Sequence, residues 1–314
     1  MLGKMLSLGV RDSHTTIGRL QMAWLVEYII LGKLDRACPP DRTMVGQITD
    51  ILARMILDSR GRPTIEVDCF VDGRFSARAA VPSGASTGSH EAVELRDGGP
   101  MWLGSGVQRS VDNVNTILKN DLIGMSVHDQ TLIDERLISA DGTPNKSLLG
   151  ANSILGCSLA ILRASAKERG IPLWKSIPGE WPVSVMPVPL MNILNGGAHA
   201  ATNVDVQEFM VVPYGFSDFT SALRAGTETY HALKEALKEK GLLSGIGDEG
   251  GFAPSLGRNE EGLELLVEAI ERAGYSSSSQ IGIALDVAAT EFYDSGKYSF
   301  CLLYTSPSPR DVRS

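Results

Sequence analysis

The order of hydrophobic patterns after about residue 183 leaves few folds open to this chain. Two strand-like segments come first, two helix-like segments follow, and "IGIALDVAAT" (Ile281–Thr290) is then almost continuously apolar. Such a run is typical of a strand that is covered on both faces. The succession strand, strand, helix, helix, strand predicts the start of an α/β barrel or of a doubly wound sheet. In either fold, polar residues at the carboxyl ends of strands are candidate site residues.

Both helix-like segments carry a one-sided apolar stripe. The first is predicted from about Phe219 to Lys240, and its stripe consists of Phe219, Leu223, Tyr230, Leu233 and Leu237. The second is predicted to begin with Asn259 as its cap and to end at Gly274. Its stripe consists of Leu263, Leu266, Val267 and Ile270.

The preceding residues predict a separate α+β unit, a meander of strands followed by helices. Asp72-Gly73 is a hairpin signal between two strand-like segments. Apolar residues then recur at helical spacing, first as Val107, Val111, Val114 and Leu118, and again as Leu155, Leu159, Leu162 and Ala166. We therefore predict four regions: an extension over 1–44, an α+β domain over 45–182, a partial barrel over 183–300 and a foreign tail over 301–314.

Composition excludes several classes of protein. The chain has 314 residues and a formal charge of −8, so it lacks the basic surface that general nucleic-acid binding needs. Its four cysteines have no zinc-like spacing, which favours a reducing compartment; they are Cys38, Cys69, Cys157 and Cys301. The apolar run Met22–Gly32 is too short to span a bilayer. We predict a cytoplasmic protein without a membrane partner, although residues 1–44 leave organellar targeting or non-coding upstream sequence open.

Three polar residues stand out in the second region. Asp286 ends an apolar run, where a charge is costly unless it is paired or bound to a metal. It is either a helix cap or ion-pair partner, or a Mg²⁺ ligand. Glu208 shares its strand face with apolar residues, so it is either a structural salt-bridge partner or a site carboxylate with a perturbed pKa. His199 lies in a loop just past the first strand, where a solvated histidine or a hydrogen-bonding strut is commoner than a catalytic histidine.

Two glycine-rich stretches resemble nucleotide loops. "PSGASTG" (Pro82–Gly88) lacks the Gly-Lys-Ser/Thr of a P-loop, so it is a hydroxyl-bearing lid or an ordinary linker. "GIGDEGG" (Gly245–Gly251) spells G-x-G-x-x-G, but helical sequence precedes it and Pro254 follows it. A dinucleotide loop needs a strand before it and a helix after it. We therefore interpret this stretch as a tight loop that presents a carboxylate to a cleft.

Together these motifs resemble the enolase family, the phosphopyruvate hydratases. The resemblance runs from about Ile48 to Phe300, and its motifs follow the family's order. They are "LDSRGRPTIEVD", "VPSGASTG", "HEAVELRD", "DGTPNKSLLGANSILGCSLA", "MNILNGGAHA", "VQEFMVVP", "GDEGGFAP" and "ALDVAATEFY". It implies a lyase of glycolysis and gluconeogenesis that interconverts 2-phosphoglycerate and phosphoenolpyruvate, with two Mg²⁺ sites and a homodimeric assembly.

The resemblance also implies a role for each candidate residue. Glu249 matches the general acid that protonates the departing 3-hydroxyl group, and Glu208 matches a carboxylate beside that hydroxyl. His199 matches a substrate-binding histidine. Asp286 matches one of three carboxylates on the first Mg²⁺, and Ser86 matches a lid serine that reaches the second Mg²⁺.

The chain departs from the family after Phe300. Only three of roughly eight barrel strands are predicted, and "CLLYTSPSPRDVRS" (Cys301–Ser314) has no periodicity. The family's other two metal carboxylates, its lysine base and its phosphate-binding basic residues match no position here. We therefore expect a second half that does not fold stably and a chain without turnover. The alternative is a short non-catalytic paralogue that binds partners or dimerises through its first domain.

Overall fold

A computed structural model describes residues 46–84, 88, 90–177, 186–197, 204–247 and 250–299. The described residues belong to two compact units. One comprises residues 46–84 and 90–177, and the other comprises residue 88 and the described residues from 186 onward. The predicted extension 1–44 and the predicted tail 301–314 lie outside the described residues. Within the described part of the chain, we find no helix whose length and hydropathy would let it cross a membrane.

The first unit begins with an antiparallel meander of three strands. They are β1 (Ile48–Leu57), β2 (Pro63–Val71) and β3 (Arg74–Ala80), and β2 lies in the middle. Asp72 and Gly73 form the turn between β2 and β3 with φ angles of 49° and 77°. Positive φ at both central residues is the geometry that a two-residue hairpin favours. The predicted hairpin is therefore confirmed.

Helices cover one face of this sheet. They are α1 (Gln108–Asn113), which continues through a π turn (Val114–Leu118) into α2 (Lys119–Leu122), then α3 (Gln130–Asp141), α4 (Ala151–Glu168) and α5 (Leu173–Ser176). The predicted stripe of Val107, Val111, Val114 and Leu118 is buried. Gly170 follows the end of α4 with φ of 64°, as predicted.

A side chain closes the open edge of β1. Asn115 accepts a hydrogen bond from the Ala53 N–H at 2.7 Å and donates one to the Ala53 carbonyl at 3.0 Å. An unpaired strand edge exposes such backbone groups to pairing with other chains. Asn115 therefore takes the place of a neighbouring strand at this point.

The second unit contains a sheet of β4 (Met191–Asn195), β5 (Glu208–Val212) and β6 (Gly282–Asp286), in that order. Both neighbouring pairs are antiparallel, so β4 and β6 run in the same direction and β5 runs against them. Residues Gly282–Leu285 are half-buried rather than covered on both faces as expected. The reason is that β6 pairs with a single neighbour, β5, among the described residues.

Two helices connect β5 to β6. They are α6 (Phe219–Glu239) and α7 (Glu260–Arg272), and they pack against each other. The stripe predicted for α6 is wrong at Leu223, which is 42% exposed. Small residues fill much of the buried face instead, because they allow α6 to approach its neighbours closely; the buried residues are Ala222, Ala225, Gly226, Thr229, Leu233, Ala236 and Leu237.

The second helix, α7, differs from its predicted stripe in a similar way. Leu266 and Ile270 are buried as predicted, whereas Leu263 and Val267 are only half-buried. Asn259 occupies the predicted cap position, but its side chain makes no capping hydrogen bond. Its amide instead binds both the backbone N–H and a carboxylate oxygen of Asp205, each at 2.9 Å. After β6, a 3₁₀ turn (Ala289–Phe292) leads to the short hairpin of β7 (Tyr293–Asp294) and β8 (Lys297–Tyr298).

Candidate functional site

Three polar residues form a row across one end of the second sheet. Asn195 is directly opposite Glu208 in the β4–β5 register, and Glu208 is directly opposite Asp286 in the β5–β6 register. Residues directly opposite each other in antiparallel strands project from the same face, with Cβ atoms about 4.5–5.5 Å apart. The exposed fractions are 0% for Asn195, 8% for Glu208 and 1% for Asp286. We call these three residues the polar row.

The direction of β5 creates the polar row and corrects one expectation. We expected site residues at the carboxyl ends of strands, and Asn195 and Asp286 are indeed at those ends of β4 and β6. Glu208 is instead the first residue of β5. Because β5 runs against its neighbours, its amino end lies beside their carboxyl ends, and Glu208 joins the other two.

The structure specifies the surroundings of Asp286. Its Oδ1 accepts a hydrogen bond from the Ala288 N–H at 2.8 Å, and its Oδ2 accepts one from the Gln207 side-chain amide at 3.4 Å. It does not cap a helix, and the described residues offer it no ion pair. A carboxylate has about four lone-pair sites, so these two bonds leave acceptor capacity on both oxygens.

Polar atoms near the polar row lack partners. Both amide atoms of Asn195 and the Oε1 of Gln207 are buried and have no hydrogen-bond partner among the described residues. Leaving a buried polar group unsatisfied costs about 1–3 kcal/mol. Several such atoms at one sheet end indicate a place that a polar ligand completes.

The segment around Glu249 is attached to β4. Phe252 pairs in parallel with Leu194; its N–H donates to the Ile193 carbonyl at 2.9 Å, and its carbonyl accepts from the Asn195 N–H at 2.8 Å. Tyr230 of α6 stacks on the Phe252 ring at 4.6 Å and donates to the Gly250 carbonyl at 3.1 Å. Contacts with β4 and with α6 therefore hold Gly250 and Phe252, which follow Glu249 in the chain, in place.

Two glycines allow this attachment. Gly250 has φ of 89°, a backbone conformation that side chains other than glycine rarely adopt. A Cβ atom at Gly251 would lie 2.2 Å from the Asn195 Oδ1, so no other residue fits there without a shift. The helix α6 precedes this segment, which agrees with our rejection of a dinucleotide loop.

Three candidate site residues lie outside the described residues: Glu249, His199 and Ser86. Their roles stay predictions. The described neighbours of His199 form close backbone contacts, since Gly196 donates to the Gln207 carbonyl at 3.0 Å and Gly197 donates to the Val204 carbonyl at 2.7 Å. These two hydrogen bonds join the residues after β4 to the residues before β5, close to the polar row.

The chain before Ser86 is held firmly. The Ser83 carbonyl accepts a hydrogen bond from Arg60 at 2.6 Å, and the Ser83 hydroxyl accepts one from Arg96 at 2.9 Å. Asp58 orders the turn that carries Arg60, because its Oδ1 accepts from the N–H groups of Arg60 and Arg62, each at 2.8 Å. The hydrogen bond from Arg62 is the largest cause of a pKa of Asp58 below its usual value.

The donor set of the polar row fits a magnesium ion. Among the described residues, no group of three or more acidic, histidine or cysteine side chains is placed to hold a metal. Mg²⁺ nevertheless prefers oxygen ligands, keeps several waters and is often held by one or two carboxylates. Asp286 supplies one buried carboxylate, Glu208 adds a second negative charge beside it, and the Gln207 Oε1 is an amide oxygen without a hydrogen-bond partner among the described residues.

A cavity in the first unit has fewer groups that are available to bind a ligand than the polar row has. It has a volume of about 340 Å³ and is lined by Met55, Asp97, Gly98, Pro100, Met101, Trp102 and Gln108. Asp97 is the only carboxylate among these lining residues. Its oxygens already accept hydrogen bonds from the N–H groups of Gln108 at 2.7 Å and Arg109 at 2.9 Å. We therefore place the candidate site at the polar row.

Asn195 and Gln207 were not among our candidates from the sequence. Each adjoins a residue or motif that was singled out, since Asn195 precedes the Gly-Gly before His199 and Gln207 precedes Glu208. Nothing local marks a neutral amide as a site residue, because asparagine and glutamine are common on surfaces. They are identified only by their burial and by side-chain atoms that have no hydrogen-bond partner among the described residues.

Comparison with known families agrees with this architecture. Residues 48–177 match the family model described as "Enolase, N-terminal domain". Residues 183–311 match the model described as "Enolase, C-terminal TIM barrel domain", and the described part of that region forms three neighbouring strands without a closed barrel. The two matches follow each other in the order that the sequence motifs predicted and together span most of the chain. This chain therefore belongs to the enolase family.

Proposed function

We propose that this chain carries part of the site of an enolase-type lyase, which interconverts 2-phosphoglycerate and phosphoenolpyruvate in glycolysis and gluconeogenesis. The observation that carries this proposal is the polar row, where two buried carboxylates face each other across β5 and β6. Like charges directly opposite each other destabilise a sheet. A site that holds a cation relieves this repulsion, so the arrangement is understandable in a Mg²⁺-dependent enzyme.

Each residue has a distinct role in the proposed reaction. Asp286 would hold the first Mg²⁺, and Ser86 would reach the second one. Glu208 accepts a hydrogen bond from the substrate's 3-hydroxyl group, Glu249 donates the proton with which that hydroxyl leaves, and His199 binds the substrate. When bound, Mg²⁺ supplies Lewis-acid stabilisation of the negative charge that develops next to the substrate carboxylate.

Burial makes Glu208 and Asp286 effective. Hydrogen bonds and charges act more strongly in a site from which water is excluded, because the local dielectric constant is low. Glu208 lies within a sheet whose strands are braced by α7 through buried packing around Phe209. Its carboxylate is therefore positioned before the substrate arrives, which is what transition-state stabilisation requires.

Calorimetric titration of the purified chain with 2-phosphoglycerate, with and without Mg²⁺, tests the proposal. Although the sequence predicted a second half that does not fold stably, the described second unit buries a core of its own, so we expect binding that depends on Mg²⁺. Asp286→Asn should weaken this binding by at least about tenfold, since a neutral amide loses a charge-assisted ligand bond. Glu208→Gln should weaken binding as well. Glu235→Gln, an exposed change on α6, is the control and should bind like the unchanged chain. Absence of Mg²⁺-dependent binding, or equal binding by Asp286→Asn, would contradict the proposed site.

Turnover is a separate readout in the same samples. We expect no phosphoenolpyruvate to form, because the lysine base implied by the family resemblance matches no position of this chain. Appearance of phosphoenolpyruvate in proportion to the chain's concentration would refute that expectation while supporting the proposed reaction. Homodimer formation and a cytoplasmic location stay predictions from the resemblance.

A further inference from the structure

Asn195 has the properties of a ligand-binding residue. It is 0% exposed, and neither its Oδ1 nor its Nδ2 finds a hydrogen-bond partner among the described residues. Its backbone is nevertheless fixed, because its N–H donates to the Phe252 carbonyl at 2.8 Å. A buried amide that is held in place and left unsatisfied destabilises the fold by about 1–3 kcal/mol per group, so a structural role does not explain it.

The neighbours of Asn195 indicate what it would bind. Glu208 lies directly opposite on β5, and Asp286 lies one strand further. A phosphate or carboxylate group placed between Asn195 and Glu208 would be repelled by the Glu208 charge. A hydroxyl group fits both neighbours, because it donates its proton to a carboxylate and accepts a hydrogen bond from an amide N–H.

We propose that Asn195 determines specificity for the substrate's hydroxyl group: its Nδ2 donates a hydrogen bond to the hydroxyl oxygen whose proton Glu208 accepts. This inference rests on the proposed function and adds a residue to it. A site that hydrogen-bonds a hydroxyl rejects an analogue without one, because its buried polar groups then stay unpaired. Asn195 thereby favours 2-phosphoglycerate over the same molecule with hydrogen in place of the 3-hydroxyl.

Binding of these two ligands in excess Mg²⁺ tests the inference without turnover. The unchanged chain should prefer 2-phosphoglycerate by at least about tenfold. Asn195→Ala should reduce that preference by about fivefold, mainly by weakening 2-phosphoglycerate binding, while the hydrogen bond to Glu208 remains. Asn195→Asp keeps the shape but removes the donor, so it should reduce the preference as well. Asn192→Ala, the same chemical change on the same strand, is the control and should keep the preference.

The outcomes separate the two proposals. If Asn195→Ala melts like the unchanged chain and keeps its full preference, this inference is overturned and the proposed function stands. The same holds if Asn195→Asp keeps the preference in a sample where Asn195→Ala does not fold. If the unchanged chain binds neither ligand, the proposed function fails and this inference fails with it.

Discussion

Replacing Asp134 by asparagine is expected to stabilise the first unit at and above neutral pH. Asp134 lies on α3 and is 3% exposed, and its Oδ1 accepts a hydrogen bond from the Gln130 side-chain amide at 3.0 Å. Its Oδ2 has no partner among the described residues. Burial raises the pKa of Asp134 from 3.8 to about 7, although hydrogen bonds from Ser158 and Gln130 oppose that rise.

The sign of the pH dependence follows from this pKa. The folded state binds the proton of Asp134 more tightly than the unfolded chain does. Stability is therefore highest below the unfolded pKa, falls as the pH rises towards about 7, and stays at the lower value above it. The difference between the two pKa values corresponds to at most about 4 kcal/mol. In Asp134→Asn this pH dependence disappears, while the asparagine oxygen can still accept from Gln130.

Urea unfolding between about pH 5 and pH 8 provides the measurement. The tryptophans Trp102 and Trp174 lie in the first unit and report its unfolding by fluorescence. Asp134→Asn should gain stability relative to the unchanged chain as the pH rises. Glu135→Gln, an exposed change on the same helix, should follow the unchanged chain. Parallel pH profiles for the unchanged chain and Asp134→Asn would refute the reasoning.

Three further changes test the packing that supports the sheets and the site. Gly251→Ala should abolish Mg²⁺-dependent 2-phosphoglycerate binding measured by calorimetry, because the new Cβ would lie 2.2 Å from the Asn195 Oδ1. Asn259→Ala should lower the urea-unfolding stability of the second unit by about 1–3 kcal/mol, because two hydrogen bonds to Asp205 are lost. Asn115→Ala should increase concentration-dependent association in sedimentation experiments, since it leaves backbone groups of the β1 edge unpaired.

Each of these predictions has a clear contrary result. Unchanged ligand binding by Gly251→Ala would show that the segment after Glu249 does not need its close approach to β4. An unaltered unfolding midpoint for Asn259→Ala would show that its hydrogen bonds are replaced by water. Association of Asn115→Ala that is no stronger than that of the unchanged chain would show that other features protect the β1 edge.

Local chemistry in the sequence determined much of the fold. The Asp72-Gly73 turn was predictable because both positions need positive φ, and few residue pairs accept it. The helices were predictable because a stripe at helical spacing has to be buried. The site region was predictable in part, since Asp286 ends an apolar strand where an isolated charge is costly. The family motifs then supplied the proposed roles of Glu208, Glu249, His199 and Ser86.

Tertiary structure determined strand direction and strand pairing, which sequence periodicity does not encode. Periodicity indicates which face of a strand is buried, but it gives neither the strand's direction nor its partner, because both depend on residues far away in the chain. The antiparallel course of β5 therefore could not be derived from "VQEFMVVP", and that course alone places Glu208 between Asn195 and Asp286. The same reason explains Asn259, whose local sequence predicted a helix cap but whose amide binds Asp205, 54 positions away. Asn195 is identified as a site residue only by its burial together with an amide that has no hydrogen-bond partner among the described residues.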